Sequence, residues 1–200
     1  MNFSELVAEV ISKTKRPDLQ TQTESAVRAA TLKAHQKEFY YKDIREEGVE
    51  FTTPAMIQSF QPDTLFPRYR APAYVRKWNQ EDWDLDGHPG DYLEKSTIGN
   101  LKNYFGFDKT NIYYQAGNRL NMRSDSDIRR ILFGFYSYPN LIAEEFDSWI
   151  AREYPWAIIY DATRQIFSDI SYLEQANKFE GLAAEQFAIL TINNSTADFP

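Results

Sequence analysis

The spacing of apolar residues changes period twice along this chain, and that change restricts its fold more than any other feature. Phe3, Leu6, Val7, Val10 and Ile11 recur at intervals of three and four, the stripe of one buried helix face. Over about residues 40–138 the helical period is lost, and short runs alternate polar with apolar residues between prolines. From Asp147 the interval of three or four returns and persists to Leu190. Helices at both ends with strands between them predict an α+β fold in which the helices are segregated from an antiparallel sheet.

The first helical stripe breaks at Lys13–Pro17, and proline suits the start of a helix rather than its middle. Thr21 and Glu24 have the spacing of a capping box, in which hydroxyl and carboxylate each satisfy an orphan backbone N–H. Val27, Ala30, Thr31 and Ala34 continue as a narrow stripe of small residues that lets a neighbouring helix approach closely. Residues 2–37 therefore read as two antiparallel helices joined by a tight link.

In the middle, Val49, Phe51, Met56, Ile57 and Phe60 sit in short runs punctuated by Pro54, Pro62 and Pro67. Tyr69–Trp78 contains a proline, which places it at a sheet edge. The clearest hairpin joins 111–115 to 119–123 through Ala116-Gly117-Asn118, whose Gly-Asn pair tolerates positive φ. Ser124–Asp127 reads as the next turn and Ile128–Tyr136 as a third strand, with Ile131, Phe133 and Phe135 on one face. Residues 96–104 read as one or two helical turns. The expectation is an antiparallel meander of about four to six strands.

In the last part, Asp147-Ser148 is a cap for the helix from Trp149, and Pro155 opens a stronger helix through Ile158, Ala162, Ile166 and Phe167. A second one carries Leu173, Ala176, Phe179, Ala183, Phe187 and Leu190. Residues 191–200 read as a loose polar tail with two apolar beads, Ile192 and Phe199. The expected organisation is one domain over 1–190, with helices at 2–37 and 147–190 around a β-rich insertion at 40–138, followed by the tail.

Composition narrows the function classes. The 200 residues include no cysteine, which excludes a disulfide scaffold, a zinc–thiolate site and a thiol nucleophile. A net charge of -7 disfavours a general nucleic-acid binder, since phosphate neutralisation needs a basic face. No apolar run is long enough for a membrane span, and Met1–Val10 lacks a basic start, so the chain is expected in a reducing, cytosolic setting. Aromatic residues make up 16% of the chain, which fits either a large protein–protein interface or an aromatic core.

Few residues suggest catalysis. His35 reads as an ordinary helix residue, and neither it nor His88 belongs to a recognisable metal or nucleophile motif. Asp82, Asp84 and Asp86 followed by Gly87 start like a calcium loop, but position 12 is Leu93, and Glu94 comes one residue late. An acidic surface loop is the simpler reading, and no metal site or cofactor is expected. Arg68, Arg70, Arg76 and Lys77 interleave with Tyr69, Tyr74 and Trp78, a pattern that can stack on single strands. Because Glu81 and the three aspartates follow directly, pairing between these cations and a neighbouring subunit's carboxylates is the better account.

The order of parts resembles the bacteriophage head-to-tail adaptor (connector) proteins, the group that includes the tail tubular protein A of short-tailed phages. The likeness is carried by the 3–11 stripe with Lys15-Arg-Pro-Asp-Leu19, by Thr23–Ala34, by Asn111–Leu120, by Gly134-Phe-Tyr-Ser-Tyr-Pro139 and by the paired helices over 149–190. It spans nearly the whole chain but lies in pattern and order rather than in a catalytic signature. It implies a non-enzymatic virion protein of the neck, made in the host cytoplasm. Such a protein forms a ring of about twelve subunits under the portal protein, with genomic DNA passing through it unread and a nozzle or tail-terminator protein below. It further implies a C-terminal segment that docks on the portal, here with Leu190, Ile192 and Phe199 as anchors. The inter-subunit contacts would set Arg68, Arg70 and Arg76 against Asp82, Asp84 and Asp86.

Two other readings compete. An aromatic-rich β module that recognises glycan or peptide with calcium support would use Asp82, Asp84 and Asp86. A glycosidase would need two carboxyl groups roughly 5–9.5 Å apart in a cleft, and the sequence nominates no pair.

Overall fold

A computed structural model describes residues 1–78, 90–97, 101 and 108–194. The chain divides into two compact units, a helical one formed by 1–43 with 138–200 and a β unit formed by 44–137.

In the helical unit, α1 spans Phe3–Thr14, and a 3-10 turn at Pro17–Leu19 leads into α2, Gln20–Gln36. The capping box forms at α1 rather than at Thr21. Asn2 Oδ1 accepts from the Glu5 N–H at 2.9 Å, and Glu5 Oε2 accepts from the Asn2 N–H at 2.8 Å. Thr21 and Glu24 lie inside α2, which grows straight out of the 3-10 turn without a side-chain cap. A continuous turn already supplies the carbonyl partners that a cap would otherwise replace.

After the β unit the chain forms α4, Trp149–Glu153, α5, Pro155–Asp169, and α6, Leu173–Asn194. Ser148 caps α4 as expected, its Oγ accepting from the Ala151 N–H at 3.1 Å. The α1, α2, α4, α5 and α6 helices share one core that includes Leu6, Val10, Val27, Ala30, Ile150, Ile158, Ala162, Phe187 and Leu190. The small residues of α2 are buried here, and α2 packs against α5.

The α6 helix does not stop at Leu190. It runs one turn further, and the buried Asn194 side chain donates to the Leu190 carbonyl at 3.2 Å. Thr191 to Asn194 look like tail because threonine and asparagine are weak helix formers. That hydrogen bond, returned to the preceding turn, offsets the poor propensity.

The β unit departs further from expectation. It has β1, Ile44–Phe60, β2, Tyr69–Trp78, β3, Tyr92–Lys95, β4, Ile112–Ala116, and β5, Arg119–Ser137, with a short α3 at Pro62–Leu65. The sheet order is β1-β5-β2-β3-β4, and β4 pairs back onto β5, so β2 to β5 close a small four-stranded barrel. This is not a meander, because first and last strands are neighbours and β3 with β4 run parallel.

The Gly117-Asn118 turn forms as read, with Ala116 opposite Arg119 and Gly117 at φ 61. The turn read at Ser124–Asp127 is instead an excursion within continuous β5. These four residues stand opposite the single β1 residue Met56, and 51–54 of β1 bulge in compensation nearby. Pro54 falls in that bulge, where no ladder hydrogen bond is lost. Ile131, Phe133 and Phe135 all point into the unit's own core, which also holds Val75, Leu93, Tyr113, Leu120 and Met122. Of the helical reading at 96–104, all but 96, 97 and 101 lies outside the described residues.

Candidate functional site

Three polar arrangements stand out. The first is in the helical unit. His35 sits on the buried face of α2, Asp43 ends a 3-10 turn at Tyr41–Asp43, and Ser148 precedes α4. His35 Nδ1 lies 2.8 Å from Asp43 Oδ1, and His35 Nε2 lies 2.9 Å from Ser148 Oγ. Trp149 Nε1 donates to the same Asp43 oxygen at 2.8 Å. With a neutral imidazole, one proton arrangement satisfies these bonds: Nδ1–H donates to Asp43, and the Ser148 hydroxyl donates to Nε2 while accepting from Ala151.

Asp, His and Ser in this order have the connectivity of an acyl-transfer triad. A nucleophile must also reach substrate, and Ser148 is 3% exposed with its oxygen already engaged as a helix cap. The cluster's evident work is mechanical, since it ties α2, the end of the N-terminal segment and α4 together.

The second arrangement lies in the β unit. Lys77 is on the inward face of β2, and its ammonium is buried among Ser124 Oγ at 3.1 Å, Asp125 Oδ1 at 3.1 Å and Ser126 Oγ at 2.9 Å. Those three residues belong to the β5 excursion. The Asn111 amide donates to the other Asp125 oxygen at 2.8 Å. The Asn111 hydrogen bond first, and then the Lys77 ammonium, hold the Asp125 carboxyl well below the usual carboxylate range. The excursion therefore exists to surround a buried cation, which needs charge and oxygen partners once removed from water.

The third is a groove of about 650 Å³ on the helical unit, with Ala183, Ala184, Phe187 and Ala188 of α6 among its lining. Lys33 from α2, Lys37 just past its end, Arg164 from α5 and Glu180 from α6 also line it. Asp161, 1% exposed, accepts from Lys33 Nζ at 2.6 Å, Arg164 Nε at 3.1 Å and Gln165 Nε2 at 2.9 Å, fixing the two cations in place. Neither this buried carboxylate nor Asp43 carries any mark in the sequence that separates it from surface acids.

The residues nominated from sequence divide among several surroundings. Leu190 is fully buried in the helical core, so it is a packing residue and not a docking anchor. Ile192, two residues on, is 81% exposed. Phe199, His88, Asp82, Asp84 and Asp86 lie outside the described residues. Arg76 lies over the Tyr92 ring at 4.6 Å and donates to the Gly90 carbonyl at 3.2 Å. Arg70 lies in β2, and Arg68, at φ 71, sits just before it.

Among the described residues, no three histidine, aspartate or glutamate side chains converge as a metal site, and no helix is long and apolar enough to cross a membrane. The sequence matches no protein-family model and has no significant match among curated proteins.

Proposed function

We propose that the chain is a head-to-tail adaptor, a non-catalytic ring subunit that joins portal to tail in a phage neck. The observation that carries this reading is the distribution of solvent-facing apolar side chains. Met56, Ile57, Leu65 and Tyr92 of the β unit are exposed, and so are Ile142, Tyr172, Leu173 and Ile192 of the helical unit. Met56 with Ile57 and Tyr172 with Leu173 are exposed as adjacent pairs, and apolar surface left in water in this way suits a subunit that covers it with neighbours.

Charge supports the same reading. Six of the seven net negative charges belong to the helical unit. An acidic wall repels phosphate and lets DNA pass without being held. The portal contact then falls to exposed Ile192 with Phe199 further along, and Leu190 is left to the core. Subunit neighbours close the ring, and a nozzle or tail-terminator protein is the partner below.

Electron microscopy of the full chain mixed with its phage's portal protein tests this directly. A ring stacked on the portal is the expected result. If the ring also forms when the chain is cut after Asn194, the adaptor stands without its docking segment. Absence of any ring in both mixtures removes the proposal.

A further inference from the structure

We infer that the helical unit carries both halves of a head-to-tail contact, a rigid acidic knob at Leu141–Glu145 and the cationic groove between α2, α5 and α6, so that a second copy of this chain occupies the groove. The inference names the neighbour contact of the proposed ring. It rests on that reading for closure into a ring, while the pairing itself rests on the two surfaces.

The knob is a 3-10 turn at Ala143–Glu145 presenting Ile142, 58% exposed, beside exposed Glu144. It is held from several sides. Asn140 and Asp147 exchange backbone hydrogen bonds at 3.2 and 3.1 Å, closing the loop at its base. Asn140 Oδ1 accepts from the Ile142 N–H at 3.1 Å, its Nδ2 donates to Glu145 at 3.1 Å, and Arg28 Nε donates to the Leu141 carbonyl at 3.2 Å. A loop fixed in this way loses little further freedom on binding. An exposed isoleucine at its tip is left without an intramolecular purpose.

The groove is the complement in shape and charge. Ala184, Phe187 and Ala188 give an apolar floor with room for a branched side chain, and Lys33, Lys37 and Arg164 outnumber Asp161 and Glu180 around it by one. Ile192 lines it too, so a neighbour's knob and the proposed portal contact share this end of α6. Asp161 occupies Lys33 and Arg164, which leaves Lys37 as the cation best placed to meet Glu144.

The α2 residues that touch the two surfaces lie on opposite sides of that helix. At roughly 100° per residue, Lys33 and Lys37 lie about 140° and about 180° around α2 from Arg28, the residue that holds the knob. A knob held from one side of α2 and a groove lined from the other favour a head-to-tail contact over a self-paired one. They generate the heterologous contact from which closed rings are built.

The absence of cysteine from the sequence makes the test clean. Full-length Ile142→Cys and Ala188→Cys variants are treated with a short bismaleimide, separately and mixed, with and without portal protein. The contact requires cross-linked dimers from the mixture, none from either variant alone, and a ladder of higher multimers from the double variant. Lys37→Glu should lower the cross-linked yield at least about tenfold, and pairing it with Glu144→Lys should restore it.

Cross-links within a single variant, or a yield indifferent to both charge changes, would overturn the contact. So would no cross-link in either condition. If rings are seen on the portal without the cross-link, the adaptor reading survives and this contact fails. A ladder without rings on the portal has the opposite meaning.

Discussion

His35 Nδ1 and Asp43 Oδ1 lie 2.8 Å apart inside the helical unit, and Trp149 donates to the same carboxylate oxygen. Asp43 is the last residue before β1, so this bond fixes the point where the chain leaves α2 and its turn. The other Asp43 oxygen is buried with no hydrogen-bond partner among the described residues, which makes the carboxylate depend on the two donors it has. His35→Ala removes one of them and should cost about 2–3 kcal/mol, the upper range for a buried hydrogen bond broken on one side. Asp43→Asn keeps an acceptor for both donors and should cost about 1–2 kcal/mol. Urea unfolding followed by circular dichroism measures both, and equal small losses would remove the brace from the account.

The Asp125 carboxyl is held low by Asn111 and Lys77, and the sign of the pH effect follows from that. A carboxyl whose folded value lies below its unfolded value, about 3.9, stabilises the fold above that pH. The contribution is lost as pH falls through the folded value. Wild-type Asp125 should therefore stay ionised through the ordinary carboxylate range. Lys77→Met should bring its titration back toward that range, as should Asn111→Ala. Carbon-13 NMR of the side-chain carboxyls reads the titration directly, and an unmoved Asp125 in both variants would contradict the cage.

Gly134 is paired to Glu46 on one side and Tyr74 on the other, and a Cβ there would come within 2.5 Å of the Tyr74 ring. The ring lies across the glycine, and its hydroxyl donates to Glu46 two strands away. Gly134→Ala must push the ring aside and should destabilise the β unit by about 1–3 kcal/mol. In a Tyr74→Ala background the obstruction is gone, so the same substitution should be neutral or slightly favourable. A double-mutant cycle by thermal unfolding decides it, because additive costs would mean that the ring does not need the space.

Periodicity carried the helical unit well, because each helix buries one stripe in a shared core. Its ends were less legible. Nothing local distinguishes Asn2-Glu5 from Thr21-Glu24 as capping boxes, since what decides between them is whether a preceding turn already satisfies the backbone. The sheet was harder. Local pattern finds the Gly117-Asn118 hairpin, but the pairing of β1 with β5 spans most of the unit, and the parallel β3–β4 pair leaves no local signature. Ser124–Asp127 has turn composition, yet it serves Lys77, forty-seven residues before Ser124. The same limit hid the His35 cluster and the knob and groove, whose meaning depends on distant partners.

The sequence pairs Leu190 with Ile192 as docking anchors, and the helical phase separates them. Two residues apart on α6, they differ by roughly 200° around its axis. One is therefore buried at 0% exposure and the other stands out at 81%. Leu190→Ala should cost about 2–5 kcal/mol of stability through the cavity it leaves beside Phe187. Ile192→Ala should change stability by no more than about 0.5 kcal/mol, because its side chain gives up no burial. On the adaptor proposal, its effect belongs to binding. A side chain of this size buried against the portal contributes about 1.5–3 kcal/mol, so affinity for the portal should fall roughly tenfold to a hundredfold. Calorimetry on the unbound variants and portal binding by surface plasmon resonance separate the two roles. If Ile192→Ala binds the portal as tightly as the wild type, exposure at that position needs another partner, and the docking segment must begin beyond it.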